Sequence, residues 1–193
     1  MADPLGAEVV LPKLRGRFGR EYAFVERCES TQRLFPHDAP EGAVVATDEQ
    51  TAGRGRLGRE WVSPAGSSLL FSIVLRPDVP TPNLPELSLV AGRAVAGGLA
   101  DLAGVLPDVK WPNDVLLNGR KVAGILAEAR DGRVVLGIGI NVSQSADDLP
   151  ERPTNPATSL RLETGREVPR ADLLVAVLER LEREYDAWVA GYR

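Results

Sequence analysis

"VKWPNDVLLNGRKVAGILAE", residues 109–128, changes backbone character several times in twenty residues. Val109 and Lys110 read as a strand, which Pro112-Asn113-Asp114 ends abruptly with a turn. Asn118-Gly119 is a second turn signal, and "KVAGILAEAR" after it is a strand. Asp131-Gly132 then turns the chain into "RVVLGIGINV". Asn-Gly and Asp-Gly favour two-residue hairpins, because both central positions take positive φ. Strands joined this closely pair antiparallel. Gly124, and the two glycines of "GIGIN" at 137–141, mark places where a ligand or another backbone comes close.

Working outward, residues 21–28 ("EYAFVERC") and 42–49 ("GAVVATDE") read as further strands. "ESTQRLF" begins with Ser30 or Thr31 as a helix N-cap, and Pro36 stops that helix after two turns. "REWVS" and "SSLLFSIVLRP" read as a hairpin pair joined at Pro64-Ala65-Gly66. Residues 85–102 carry Leu87, Ala91, Ala94, Val95, Gly98 and Leu102 at helical spacing, with Asn83 and Glu86 as a capping box. A closing helix over 170–189 presents Leu174, Val177, Leu178, Leu181, Tyr185 and Trp188 as one stripe. Residues 144–169 read as a polar, proline-rich surface excursion, and residues 1–20 as a flexible N-terminal segment. The expected fold class is α/β (α+β): a mixed, largely antiparallel sheet with packed helices, in one domain over residues 21–193.

The 193 residues are 44% hydrophobic and 26% charged, ordinary for a globular domain. No apolar run reaches the ~20 residues of a membrane span, and the N-terminus lacks a signal-peptide pattern, so no membrane partner and a cytoplasmic home are expected. With one cysteine, Cys28, and one histidine, His37, the usual zinc ligand sets and the histidine-based nucleophile systems are excluded.

The chemistry gathers in "TAGRGRLGREW", residues 51–61, with three glycines, three arginines and one acid in a chain of net charge −4. Glycines let backbone N–H groups converge on an anion, and arginines add forked donors suited to carboxylates and phosphates. The loop lacks the lysine and Ser/Thr of a Walker A motif, and a strand rather than a helix is expected after it. Lys110, at a strand end beside a turn, presents a compact positive charge.

"EST" at 29–31, "DEQTAGRGRLGREW" at 48–61, the 109–128 segment and "GIGIN" occur in that order. Together they resemble the catalytic domain of biotin protein ligases, over about residues 22–190. The resemblance implies a class II synthetase-like fold and two reactions: ATP-dependent activation of biotin to biotinyl-5′-AMP, then transfer to a specific lysine of a biotin carboxyl carrier protein. It implies Lys110 and Arg56 as catalytic residues. Biotin would be held by Ser30, Thr31, Gln32, Gln50, Lys110 and Gly124, and ATP or the adenylate by Gly53, Arg54, Gly55, Arg56, Trp61, Asn113 and Asn141. Gln32 stands where the family has asparagine, one methylene shorter. Mg²⁺ would neutralise the departing pyrophosphate, with no metal-ligating side chains expected of the protein. The repressor subtype's DNA-binding domain has no room before residue 22, so no DNA partner is expected; the expected state is monomer or homodimer. Family members usually continue into a small β-barrel that helps close over ATP and acceptor, whereas this sequence stops at "WVAGYR". The rival readings are a lipoate or octanoyl ligase or transferase of the same fold, and a non-catalytic biotin or biotinyl-AMP binding module.

Overall fold

A computed structural model describes residues 4–151 and 156–192. Its frame is a seven-stranded sheet. The strands are β1 (Tyr22–Cys28), β2 (Val44–Gln50), β3 (Ser68–Leu75), β4 (Asp108–Lys110), β5 (Asp114–Leu117), β6 (Arg120–Arg130) and β7 (Arg133–Asn141). Their spatial order is β1-β2-β3-β7-β6-β5-β4. Only β1 and β2 run parallel; every other neighbouring pair is antiparallel. The expected mixed, largely antiparallel sheet is what forms. Both hairpin signals act as read: Asn118 and Gly119 take φ of 50° and 75°, Asp131 and Gly132 of 52° and 73°.

One face of the sheet is covered by the long helices α2 (Leu87–Ala103) and α4 (Arg170–Ala190), with α1 (Ala7–Val10) and α3 (Leu160–Thr164) as short pieces. Alternation along the strands supplies the core on that side: Leu69, Phe71, Ile73 and Leu75 from β3, and Val134, Leu136, Ile138 and Ile140 from β7. Glycines set how closely the layers meet. A Cβ on Gly98 of α2 would lie 2.8 Å from the Val177 side chain of α4. Arg170, buried at the start of α4, donates to Asp48 at 2.7 Å and to the Ser68 carbonyl at 3.2 Å, tying the helix to β2 and β3.

Four local expectations need correction. Residues 4–20 are packed rather than loose: Leu5, Val10, Leu14 and Phe18 are buried. Arg17 forks onto Asp186 at 2.8 and 2.5 Å, while the Arg17 and Phe18 amides donate to Glu182. Phe18 packs against Tyr185 with tilted rings 5.6 Å apart, and burial, then the hydrogen bond to Glu41, raises the Tyr185 hydroxyl's pKa above its ordinary value. "ESTQRLF" makes a single 3₁₀ turn, Thr31–Arg33, because the Thr31 and Gln32 side chains bond to the sheet instead of capping a helix. "REWVS" is not a strand; only an isolated bridge joins Arg54 to Glu60. The 144–169 stretch is partly interior, with Thr158, Ser159 and Leu160 buried and Ala157 bridged to Lys121.

The N-terminal packing predicts a measurable cost. Phe18→Ala should lower the unfolding free energy by about 3–5 kcal/mol, the range for emptying a buried aromatic site, in urea melts followed by circular dichroism. A change below about 1 kcal/mol would mean that residues 4–20 contribute nothing to the core.

Candidate active site

The other face of the sheet carries a small second core, Ala39, Ala43, Val74 and Val135, and beside it a stretch that lacks strand side chains. On β6 and β7, Gly124, Gly137 and Gly139 alternate with the core residues, and Gly124 is paired in register with Gly139. Three missing side chains on one face of two neighbouring strands leave a floor. Above it lies a cavity of about 390 Å³, walled by the Thr31–Arg33 turn, the 51–61 loop and the turn after β4. Every residue assigned above to biotin, ATP or catalysis lines this cavity except Gly53. Gly53 lines a shallow cup outside it, and a Cβ there would fall 2.4 Å from the Trp61 carbonyl oxygen. Its lack of a side chain lets the loop close on itself.

At one end, polar side chains hold each other in fixed orientations. The Thr31 amide and hydroxyl both donate to Gln50 Oε1, at 2.8 and 3.2 Å. The Thr31 hydroxyl also shares a 2.7 Å hydrogen bond with buried Ser72 of β3. With Oε1 committed, the Gln50 amide nitrogen is the group left to meet a ligand. Gln32 extends across the floor above Gly137 and donates to the carbonyls of Leu126 and Val135, at 3.1 and 3.3 Å. Its extra methylene takes the amide onto the sheet backbone, so Gln32 closes this end with both N–H groups already used. Ser30 is buried beside it.

At the other end, Asn113 donates to the Ile125 carbonyl at 3.2 Å and accepts the Ile125 amide on its own carbonyl at 2.9 Å, locking the turn to β6. Asn141 donates to the Thr158 carbonyl at 2.9 Å and accepts from Gln144 at 3.1 Å. Lys110 sits at the rim, exposed. Lys121 lies inside. Its Nζ is 2.6 Å from Asp114, with the two side chains only 18% and 14% exposed. It also stands 5.8 Å from the centre of the Trp61 ring.

Lys121, Asp114 and Ser72 were not singled out from the sequence. For Lys121 the reason is geometric. Strict alternation along β6 puts it on the same side as Ala123 and Ile125, facing the helices. A register shift opposite Val115 and Leu116 breaks that alternation, so Val122 and Ala123 both enter the core and Lys121 turns to the cavity. Such a bulge has no clear signature in a single sequence.

The arginine loop carries Arg54 onto Glu128 at 3.0 Å and leaves Arg56 and Arg59 exposed, with no ion pair among the described residues. Leu57 and Gly58 take positive φ, 60° and 72°. Trp61 points inward. Its indole rests on the floor, so close that a Cβ on Gly124 or Gly139 would lie 2.9 or 2.7 Å from it. Its buried Nε1 has no hydrogen-bond partner. The contact explains why "REWVS" does not pair as a strand.

The cavity thus offers a flat floor, a fixed amide at one end, an interior ammonium at the other, and a cationic loop over the top. That arrangement suits a ring-bearing carboxylate meeting a phosphate. Among the described residues no cluster of three or more His, Cys, Asp or Glu side chains could hold a metal ion, and no helix is long and apolar enough to cross a membrane. Cys28 lies outside the cavity, and burial pushes its thiol pKa up, away from the nucleophilic form.

Known proteins resemble this chain in sequence and in fold. The chain is 42% identical over 176 residues to the bifunctional ligase/repressor BirA of Bacillus subtilis, a match covering 86% of this chain and 54% of that protein. It is 43% identical over 157 residues to the biotin–[acetyl-CoA-carboxylase] ligase of Mycobacterium tuberculosis, covering 79% and 56%. It therefore spans about half the length of these relatives. Among solved structures, the biotin protein ligase from Aquifex aeolicus in complex with biotin and ATP superposes with a TM-score of 0.80 at 35% identity, covering 89% of this chain and 72% of that one. A profile of the biotin/lipoate A/B protein ligase family matches residues 24–145, more than half of the 193, and the chain belongs to that family.

Proposed function

We propose that this protein activates biotin with ATP, forming biotinyl-5′-AMP, and passes the biotinyl group to a lysine of a biotin carboxyl carrier protein. The observation that carries the reading is the placement of Lys121 between the glycine floor and the arginine loop. A ring on the floor with its ureido oxygen at the Gln50 amide would extend its valeryl chain toward this ammonium. The similarity to biotin ligases rather than lipoate ligases among the relatives described above favours biotin.

Activation joins two anions. A biotin carboxylate oxygen attacks the α-phosphorus, the bond to the bridging oxygen breaks, and pyrophosphate leaves with the electron pair. Fixed positive charge and positioning are what this step requires. Lys121 supplies the charge inside and Arg56 from the loop, and the Asp114 carboxylate keeps the ammonium in place until a substrate carboxylate arrives. Lys110, exposed at the rim of the same cavity, would meet phosphate oxygens, with Lys121 nearer the reacting carboxylate. Asn113 and Asn141, each anchored to backbone, would line the nucleotide side. Magnesium would enter as the counterion of the nucleotide phosphates and would neutralise charge on the departing pyrophosphate. In the transfer step the lysine Nζ bonds to the acyl carbon, the acyl carbon–oxygen bond breaks, AMP leaves, and one amine proton passes to solvent.

The test is pyrophosphate release on mixing the protein with biotin and Mg-ATP. A binding-only module would release none, and equal turnover with lipoate would move the reading to the lipoate branch. Lys121→Ala should slow release by about 10²–10³-fold, the scale for losing one preorganised charge donor, with Lys110→Ala costing less than about tenfold. The reverse order would return the central role to Lys110. A second expectation concerns the loop. Arg56→Gly should leave biotin affinity within about twofold, under ~0.5 kcal/mol, yet speed dissociation of biotinyl-5′-AMP at least tenfold in a chase with unlabelled ligand. Unchanged dissociation would mean that the loop does not retain the adenylate.

A further inference from the structure

Along the cavity face of β7 the row Gly137, Gly139, Asn141 runs from bare floor to a side chain, and β3 sets Ser72, Leu70 and Ser68 beside it in register. Asn141 lines the cavity. Three polar residues around it, Ser68, Gln144 and Thr158, do not, and each is 1% exposed or less. These four are joined. The Asn141 amide nitrogen donates to the Thr158 carbonyl at 2.9 Å. Asn141 Oδ1 accepts from Gln144 Nε2 at 3.1 Å, and the same nitrogen donates to Ser68 Oγ at 2.6 Å. Gln144 is held in turn, its backbone carbonyl accepting the Ser159 hydroxyl at 2.7 Å. The strand that carries Lys121 fixes the 156–158 segment: the Lys121 amide donates to the Pro156 carbonyl and the Thr158 amide to the Lys121 carbonyl, both at 2.8 Å.

This chain of bonds has a direction. A carbonyl only accepts, so Thr158 decides which end of the Asn141 amide is the nitrogen. Oδ1 then faces Gln144, whose side chain must offer its own nitrogen. Flipping either amide sets oxygen against oxygen. One Nδ2 hydrogen of Asn141 is left over, and Asn141 is the member of the group that meets the cavity. Gln144 bears a cost for this arrangement. Its Oε1 is buried and meets no donor among the described residues, a loss that an apolar side chain of the same length would avoid. The gain that offsets it lies in the orientation of Asn141.

We propose that Gln144 is a positioning residue for the nucleotide: through Oδ1 of Asn141 it fixes that side chain with an N–H, rather than its oxygen, toward the α-phosphate. The proposal rests on the biotin-activation reading above, which sets Asn141 on the nucleotide side. Ile140 pairs with Ala123 of β6, so Asn141 stands beside the Lys121 end of that strand, where the two substrate anions would meet. An amide N–H there stabilises a phosphate oxygen, whereas an amide oxygen in its place repels one. With Gln144 gone, only the Thr158 carbonyl opposes the flip.

The experiment uses the full chain with Gln144→Met, with Asn141→Ala, and with both. Pyrophosphate release in the presence of biotin gives the KM for Mg-ATP, and calorimetry with biotin alone gives its affinity. Gln144→Met should raise the KM for ATP about tenfold, the scale of one hydrogen bond to an anion. Biotin affinity should stay within about twofold of wild type. In the Asn141→Ala background the added Gln144→Met should change the KM by less than about twofold, because the two residues act as one. A KM for ATP that Gln144→Met leaves unchanged overturns the proposal. So does an effect of full size in the Asn141→Ala background, which would give Gln144 another route. Equal weakening of biotin and ATP overturns it too, since that marks a part of the fold alone. Where Gln144→Met melts too low to assay, Ser68→Ala is read instead, because it removes only the glutamine's other acceptor. A KM for ATP raised by about threefold or more then sustains the proposal, and an unchanged one overturns it. A wild-type protein that releases no pyrophosphate overturns the ligase reading and this proposal with it, whereas normal release with an unchanged KM in the variants overturns this proposal alone.

Discussion

On strands β6 and β7 the side chains facing one way are Ile125, Leu136, Ile138 and Ile140, and those facing the other way at the matching positions include Gly124, Gly137 and Gly139. This asymmetry is the constraint on which the site depends. Burying the aliphatic face under α2 and α4 supplies the driving force that holds the sheet in register, so the opposite face can give up side chains without losing its geometry. A strand with glycine at alternate positions is weak by itself. Here each glycine is flanked by residues packed in the core, and the weakness is offset locally. The floor is flat because the helices work on its far side.

Around that floor, polar groups divide into those already committed and those left available. Thr31 and Ser72 commit one atom of Gln50; the sheet carbonyls commit both N–H groups of Gln32; Thr158 and Gln144 commit part of Asn141. Each commitment removes a rotamer or an amide flip that a ligand would otherwise have to select. The loop is built on the other principle. Arg54 is tied to Glu128, the Thr51 and Ala52 amides donate to the Cys28 and Glu29 carbonyls, and Trp61 lies on the glycine floor, while Arg56 and Arg59 lie toward solvent. The loop is fastened at both ends and open in the middle.

Much of this was legible in the sequence because the relevant signals are local. Asn118-Gly119 and Asp131-Gly132 turn as their chemistry requires, and the apolar stripe of α4 follows helical spacing. The glycines of "GIGIN" announced close approach correctly. What escaped reading was set by distant contacts. Leu5, Val10, Leu14 and Phe18 are interrupted by Pro12, Gly16 and the basic residues between them, so no amphipathic element shows, yet all four are buried, with Phe18 against Tyr185 of α4. Ser30 or Thr31 reads as a cap because nothing nearby in the chain shows Gln50 and Ser72 waiting for Thr31. Lys121 was passed over because a bulge changes the direction of a side chain without changing its composition.

Trp61 lying on Gly124 and Gly139 joins the loop to the sheet through one side chain. Its amide donates to the Gly53 carbonyl at 3.0 Å, closing the base of the loop, while its indole stands 5.8 Å from the Lys121 ammonium. One residue therefore touches the floor, the interior charge and the base of the arginine segment. A rearrangement at any one of the three is felt by the other two, so floor and loop answer as a single mechanical unit.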